Sequence, residues 1–474
     1  MKGGRAPWRR HGFGWQIFFI WALTSHCLIM PYRTHACCWT IIGWLFCALA
    51  ADNVFAADAG GNTTLEAASL TAAVPSEAPT GFWDRDHLLD DWGGWRTKAN
   101  DAGFSPFATL TSEIWGNANG GIRTGMTQDM VFNTGFEADL EKLMGWQGAT
   151  LRASLNWVQG QSPTNNTGSF TSPTYDAAAN QVRIYNLYVR QKLLDDQITI
   201  KLGQIGADDD FFQCDDMGLF MNSGITAPTS FYGQTLADGD FTVPQYAVDA
   251  PGVFVRYDPK DSPFYAMLGD YLSDPGPDVS NNHGFDWQAS NGAVVIGEAG
   301  WHYTVAARDG KIKGGAFYDE GQFTNWNTGA PERGIYGGYG AIEQTFVQTA
   351  GDKPQPVLSG YILGGWSGPD SRVTPDWVLS AALNWNGPFP CCPNDVAGVA
   401  VLYTDFNSDY TASAFNPNGP GVSTAAETVI ECTYQVQVTP WFKVQPDLQV
   451  IFNPANAGTR ATALVVGARA VVTF

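Results

Sequence analysis

Charged and amide side chains recur in this chain at every second position, each flanked by apolar neighbours. In 149–157, Thr150, Arg152, Ser154 and Asn156 alternate with Ala, Leu and Trp. In 442–450, Lys443, Gln445, Asp447 and Gln449 alternate with apolar residues and Pro446. The closing run 463–474 carries Arg469 and Thr473 on one face, with Leu464, Val466, Ala468, Ala470, Val472 and Phe474 on the other. The same parity places the donor Arg256 and the acceptors Glu137, Asp139, Glu298, Glu431, Gln435 and Gln437 on the polar face, and Arg123 at the start of a strand. Planar donors beside carboxylate and amide acceptors can exchange hydrogen bonds with a polar solute. They are poorly suited to breaking bonds, because no Ser-His-Asp grouping stands out and the acids spread over many segments. Of six histidines, His11, His26 and His35 fall in the first stretch of the chain. A secreted glycoside hydrolase working through paired carboxylates remains the weaker alternative. So does a sugar-binding β-propeller, whose repeat of about 40–50 residues is not found.

Period-two alternation is the signature of a strand, which turns successive side chains to opposite faces. Arg152 or Lys443 on a lipid-facing surface at mid-membrane would cost about 2–4 kcal/mol, so the charges point into a lumen. Sixteen such segments run from about 107–115 to 462–474. Short turns rich in Asp, Pro and Gly (194–197, 258–263, 307–310) follow even-numbered segments, and long polar connections (159–181, 205–251, 272–292, 405–426) follow odd-numbered ones. A soluble sandwich has no reason to sort loop length by parity. The expected fold is all-β: a membrane-spanning antiparallel β-barrel of about 16 strands, residues 106–474, with a short N-terminal periplasmic helix over 87–102. Pro446 lacks a backbone donor and predicts a bulge or break in its strand.

Residues 1–56 read as an export signal, with Met30 as an alternative start. Two short apolar stretches follow basic residues, and Val54, Ala56 and Ala57 offer a cleavage site. Residues 57–105 form the N-terminal tail and helix. Net charge is −20, which argues against nucleic acid as a partner. Mean hydropathy of −0.14 is too low for a bundle of membrane helices, while a barrel averages its two faces. Cys214, Cys391, Cys392 and Cys432 show no metal-ligand spacing, so no metal or cofactor is expected.

Several blocks of the chain resemble the carbohydrate-selective porins of Gram-negative bacteria (OprB type). They are 90–96 (DDWGGWR), 139–143 (DLEKL), 202–205 (LGQI) with Asp210-Phe211, and the C-terminal 431–441 (ECTYQVQVTPW), 445–449 (QPDLQ) and Asn453-Pro454. The resemblance implies an outer-membrane pore that passes monosaccharides such as glucose by facilitated diffusion. A sugar needs planar donors, acceptors and aromatic faces where the lumen is narrow. The candidates are Arg123, Arg152, Arg256, Glu137, Asp139, Glu298, Glu431, Gln435, Lys443, Asp447, Gln449 and Arg469. The connection 205–251 is expected to fold inward as the constriction, presenting Asp210, Phe211 and Phe212. Its run Asp208-Asp209-Asp210 reads as loop solvation, although such oxygens also suit calcium. Expected partners are monosaccharides, membrane lipid and lipopolysaccharide, and the barrel-assembly machinery at Phe474. A general diffusion porin without sugar selectivity is the other reading within the barrel class.

Overall fold

A computed structural model describes residues 81–228, 231–232, 234, 236–239, 242–348, 357–417, 426–456, 458 and 460–474. The segment 1–56 and the tail that follows it to residue 80 lie outside the described residues.

The alternating segments form sixteen strands. They are β1 (Phe104–Gly121), β2 (Gly125–Asp139), β3 (Ala149–Gly160), β4 (Gln181–Leu193), β5 (Ile198–Ile205) and β6 (Ala250–Tyr257). Next come β7 (Phe264–Leu272), β8 (Ala293–Val305), β9 (Arg308–Thr324), β10 (Pro331–Gln348) and β11 (Val357–Gly368). The last are β12 (Pro375–Asn386), β13 (Val396–Phe406), β14 (Glu427–Thr439), β15 (Phe442–Phe452) and β16 (Ala461–Thr473). Each strand pairs antiparallel with its sequence neighbours, and β1 pairs with β16, from Thr109↔Thr473 to Gly121↔Ala461. The sheet is therefore a closed barrel, which leaves no edge strand with unpaired backbone groups.

The outward positions carry large apolar side chains left exposed: Leu202, Leu268, Trp301, Ile342, Ile362 and Trp366 are each half-exposed or more. A band of this kind suits lipid, not water. Among the described residues no helix is long and apolar enough to cross a membrane; the strands do the crossing.

Of two local expectations, the one at Pro446 holds as a break in pairing without a bulge, and the one for the N-terminal helix is corrected. β15 runs through Pro446 with no register shift on either side: Thr433↔Asp447 and Val436↔Val444 share one register, and Pro446↔Ala468 continues the other ladder. Only the pairings around the proline on the β14 side are lost, because its missing N–H removes a bond without inserting a residue. The shift in β14–β15 falls at Gln437/Thr439 instead. The helix expected over 87–102 is shorter, α1 (Trp95–Asp101). Asp90, Trp92, Gly93 and Gly94 take φ of 56°, 48°, 68° and 88°, so the left-handed turn around the glycine pair precedes the first helical residue. The side chains of Trp92 and Trp95 still stack, 5.1 Å between centroids. α1 packs at the short-turn end of β1, where Arg96 donates to the backbone oxygens of Phe474 (2.6 Å) and Pro106 (3.3 Å).

Candidate functional site

The inward faces divide the lumen into two unlike sides. From β6 round to β15 many are apolar: Phe254, Tyr271, Val294, Ile296, Phe317, Leu363, Leu402, Val429 and Ile451 are all buried. The connection between β5 and β6 folds into the barrel and covers them. Its Phe211, Phe212, Met217, Phe220, Met221, Phe231 and Tyr232 are buried against the wall. Phe212 stacks on Tyr232 at 3.6 Å between centroids and lies 4.6 Å from Tyr339, while Phe211 meets Phe254 edge-on at 5.6 Å. Each such side chain contributes about 1.5–3 kcal/mol when removed from water.

Polar tethers then fix this inward loop to one wall strand after another. Glu343 on β10 accepts from Asp215 N (2.7 Å), and Ser359 on β11 donates to the Asp216 carboxylate (2.8 Å). Asn384 on β12 donates to Asp216 O (2.8 Å), and Glu431 on β14 accepts from Met221 N and Asn222 N (2.6 and 3.0 Å). Gln445 on β15 donates to Leu219 O at 2.7 Å. The loop leaves the wall at β5 and is fastened as far round as β15, so it crosses the lumen. The connection between β3 and β4 packs with it: Tyr175 N donates to Met221 O (2.8 Å), and Glu427 accepts from Phe170 N (2.7 Å).

From β16 through β1 to β5 the wall carries paired charges, most of which keep partial access although Glu113 and Arg183 are buried. Near the short-turn end, Arg152 meets Glu137 at 2.8 Å and lies over the Phe107 ring (4.6 Å), with Arg190 3.6 Å from the same carboxylate. The side chains of Arg152, Glu137 and Arg190 remain 19%, 12% and 27% exposed. Lys201 on β5 pairs with Asp210 at 2.7 Å. Nearer the middle, Arg469 joins Glu113 (2.5 Å) to Asp176 (3.0 Å), and Trp115 Nε1 donates to Glu113 at 2.8 Å. Lys443 faces inward on β15 with no ion pair among the described residues.

Of the residues the sequence points to, Arg152, Glu137 and Arg469 therefore stand on this charged wall, and Asp210 reaches it from the inward loop through Lys201. Glu431, Asp447 and Gln449 face inward as expected, but lie at most 2% exposed beneath the loop. Glu298 accepts from Tyr265 (2.7 Å) and Tyr339, and Gln435 donates to Gln445 (3.3 Å). Arg256 is held by Asp258 at the end of its own strand, 2.7 and 2.8 Å. Asp139 caps the short helix α2 (Leu140–Met144), accepting from Glu141 N and Lys142 N. Arg123 lies in the connection ahead of β2, where its Nε donates to Asn166 (2.9 Å), rather than on the strand. Phe211 and Phe212 are covered on both sides and present no face to the lumen.

Parity did not single out Arg190, Lys201 or Asp176. β4 shows why. The β3–β4 register shifts between Ala153 and Leu155, so Arg183 and Arg190, of the same parity class only across a bulge, both turn inward. Lys201 does alternate with the lipid-facing Leu202, and that signal was available.

A closed sixteen-stranded barrel with a lipid-exposed apolar band and an inward loop narrowing a charged lumen is a transport channel of the porin class. The model of the carbohydrate-selective porin, OprB family, matches residues 123–474, and the chain belongs to that family: it is an outer-membrane porin for the diffusion of sugars. Porin B of Pseudomonas aeruginosa is 24% identical over 448 residues, covering 86% of this chain and 94% of that protein. The putative porin QuiX of Acinetobacter baylyi is 23% identical over 431 residues, covering 81% and 93%. The high-pH structure of Pseudomonas putida OprB superposes with a TM-score of 0.74 at 22% identity, covering 83% of this chain and all of that one.

Proposed function

We propose that neutral monosaccharides cross this barrel along the charged wall of β16 and β1–β5, past the edge of the inward loop. The observation that carries this reading is the contrast in exposure between the two sets of polar groups. The tethers under the loop are sealed, whereas Arg152, Glu137, Arg190, Arg469 and Asp176 are paired and still reachable. A paired guanidinium keeps spare N–H donors for a hydroxyl, and across the wall Arg152, Arg190 and Arg469 are balanced by Glu137, Glu113 and Asp176, so a sugar gains more there than an ion does. Several weak sites in series allow both binding and release. Lys443 adds a donor at the short-turn end. Glu298, Glu431, Asp447, Gln449, Phe211 and Phe212 act here by holding the loop.

We further infer that residues 1–56 direct export and are removed, and that 57–105 form a periplasmic tail and helix ahead of the barrel domain 106–474. In the same reading the apolar band sits in lipid and lipopolysaccharide, Phe474 is read by the assembly machinery, and no catalysis accompanies passage.

The test is swelling of liposomes carrying the folded protein, in glucose, a disaccharide and a charged solute of similar size. Glucose permeating several-fold faster than both others supports the proposal. Equal rates favour a general diffusion pore.

A further inference from the structure

The base of the inward loop holds two carboxylate oxygens that no group among the described residues satisfies. Asp208 lies just beyond β5 and Asp249 just before β6, only 5% and 1% exposed. The Oδ2 atom of Asp208 accepts from the Tyr175 hydroxyl and from Tyr246 N (3.1 Å), and Oδ2 of Asp249 accepts from Asn186 Nδ2 at 2.7 Å. Oδ1 of each is buried and accepts no hydrogen bond from any of the described residues. These two oxygens converge. A β-carbon on Gly206 would lie 2.7 Å from Asp208 Oδ1 and 2.9 Å from Asp249 Oδ1, closer than real β-carbons come. Glycine at 206 thus keeps clear a small cradle walled by two unsatisfied anions.

Two buried carboxylates side by side are strongly unfavourable unless a positive charge or a proton lies between them. The nearby cationic side chains are committed elsewhere. Lys201 is spent on Asp210 (2.7 Å), and Arg183 donates to Ala247 O (2.7 Å) and Asn282 O (3.1 Å) and lies 3.5 Å from Asp278.

We propose that this cradle binds a hard divalent cation of the calcium class, with Asp208 Oδ1 and Asp249 Oδ1 as its carboxylate ligands. Among the described residues no three Asp, Glu, His or Cys side chains converge on one metal position. The rest of the shell is therefore neutral oxygen, which calcium accepts within its six to eight ligands. Asp208 also holds the returning arm of the loop through Tyr246 and the β3–β4 connection through Tyr175. Asp249 holds β4 through Asn186, which is in turn bonded to Ser154 on β3. A cation shared by both ties the departure and return of the inward loop to each other and to the wall.

Terbium, a luminescent stand-in for calcium, tests this on the full folded barrel, freed of lipopolysaccharide and stripped with chelator. Tyr175, whose hydroxyl donates to the other oxygen of the Asp208 carboxylate, is close enough to sensitise it. Expected are saturable terbium emission on aromatic excitation, displacement by calcium but not sodium, and a calcium-dependent rise in the unfolding temperature. Asp249→Asn and Gly206→Ala should each weaken calcium competition about tenfold or more, since affinity follows ligand charge and fit. Asp208→Asn serves if either fails to fold. The proposal is overturned if wild type is indifferent to calcium, or if the variants compete like wild type and the emission comes from surface acids. It is equally overturned if Asp249→Asn is the more stable protein with calcium absent and present alike, which would mean a shared proton.

Discussion

Arg152 and Arg190 converge on one carboxylate from adjacent strands, and this geometry gives the charged wall its selectivity in the proposed pathway. Glu137 fixes the Arg152 guanidinium by a charge-assisted hydrogen bond at 2.8 Å and pairs with Arg190 at 3.6 Å, leaving donors toward the lumen. Removing one arginine leaves Glu137 with the other, so a single substitution weakens hydroxyl binding modestly. Removing both leaves a buried-edge carboxylate without a partner. Arg152→Ala should reduce glucose permeation about twofold, and Arg152→Ala with Arg190→Ala about tenfold. The twofold loss is about 0.4 kcal/mol, at the low edge of what one hydrogen bond contributes net, because Arg190 still offers donors. The double variant should also turn the pore toward cations, read as a shift in reversal potential under a salt gradient. Unchanged glucose rates in a folded double variant would remove this wall from the pathway.

Strands and the inward loop answer to different solvents, and single changes in them should fail in different ways. Leu268 on β7 points outward and is 56% exposed, while its neighbour Met267 is 6% exposed on the inner face. Leu268→Arg should cost about 2–4 kcal/mol if the position lies near the bilayer midplane, measured by reversible folding into lipid vesicles. The same change in detergent should cost less. The N-terminal segment behaves as a soluble element docked on the barrel end, with Leu88 N donating to Thr473 O at 2.8 Å. Burial, and then the Arg96 charge, hold the His87 imidazole below its ordinary value of 6.5. A depressed histidine stabilises the docked form fully above pH 6.5, and that contribution is lost as pH falls through the folded value. Cleavage at Arg96 or Lys98 by a basic-specific protease should therefore speed up in acid relative to a His87→Gln variant measured alongside.

Closure makes the barrel one cooperative object, because every strand is a neighbour of two others and the β1–β16 pairing completes the ring. Phe474 sits at that seam. Its backbone N donates to Ala108 O (2.9 Å), its ring meets Phe132 at 5.9 Å, and its backbone oxygen receives Arg96. Deleting Phe474 removes these contacts from the pairing that closes the ring. Folding into vesicles should slow several-fold, with a smaller change in the stability of barrels that do close, followed by the heat-dependent shift in electrophoretic mobility.

The number and order of the strands, the lipid-facing side of nearly all of them and the loop that enters the lumen were legible in the sequence. They follow from local rules: alternation of period two, turn chemistry, and the cost of a charge in lipid. Arg152, Glu137 and Arg469 could be placed by the same rules, since parity alone decides which face a side chain takes. What parity cannot say is what stands opposite. Glu431, Asp447 and Gln449 are on the inner face as their spacing demands, yet the crossing loop seals them, and Phe211 and Phe212 spend their faces on the wall. The β3–β4 bulge moved Arg190 into reach, and a left-handed glycine turn shortened the helix to Trp95–Asp101. The pairing of Asp208 with Asp249 across the loop's two ends had no sequence signal either. These are contacts between segments far apart in the chain, and they exist only once closure has brought their backbones together.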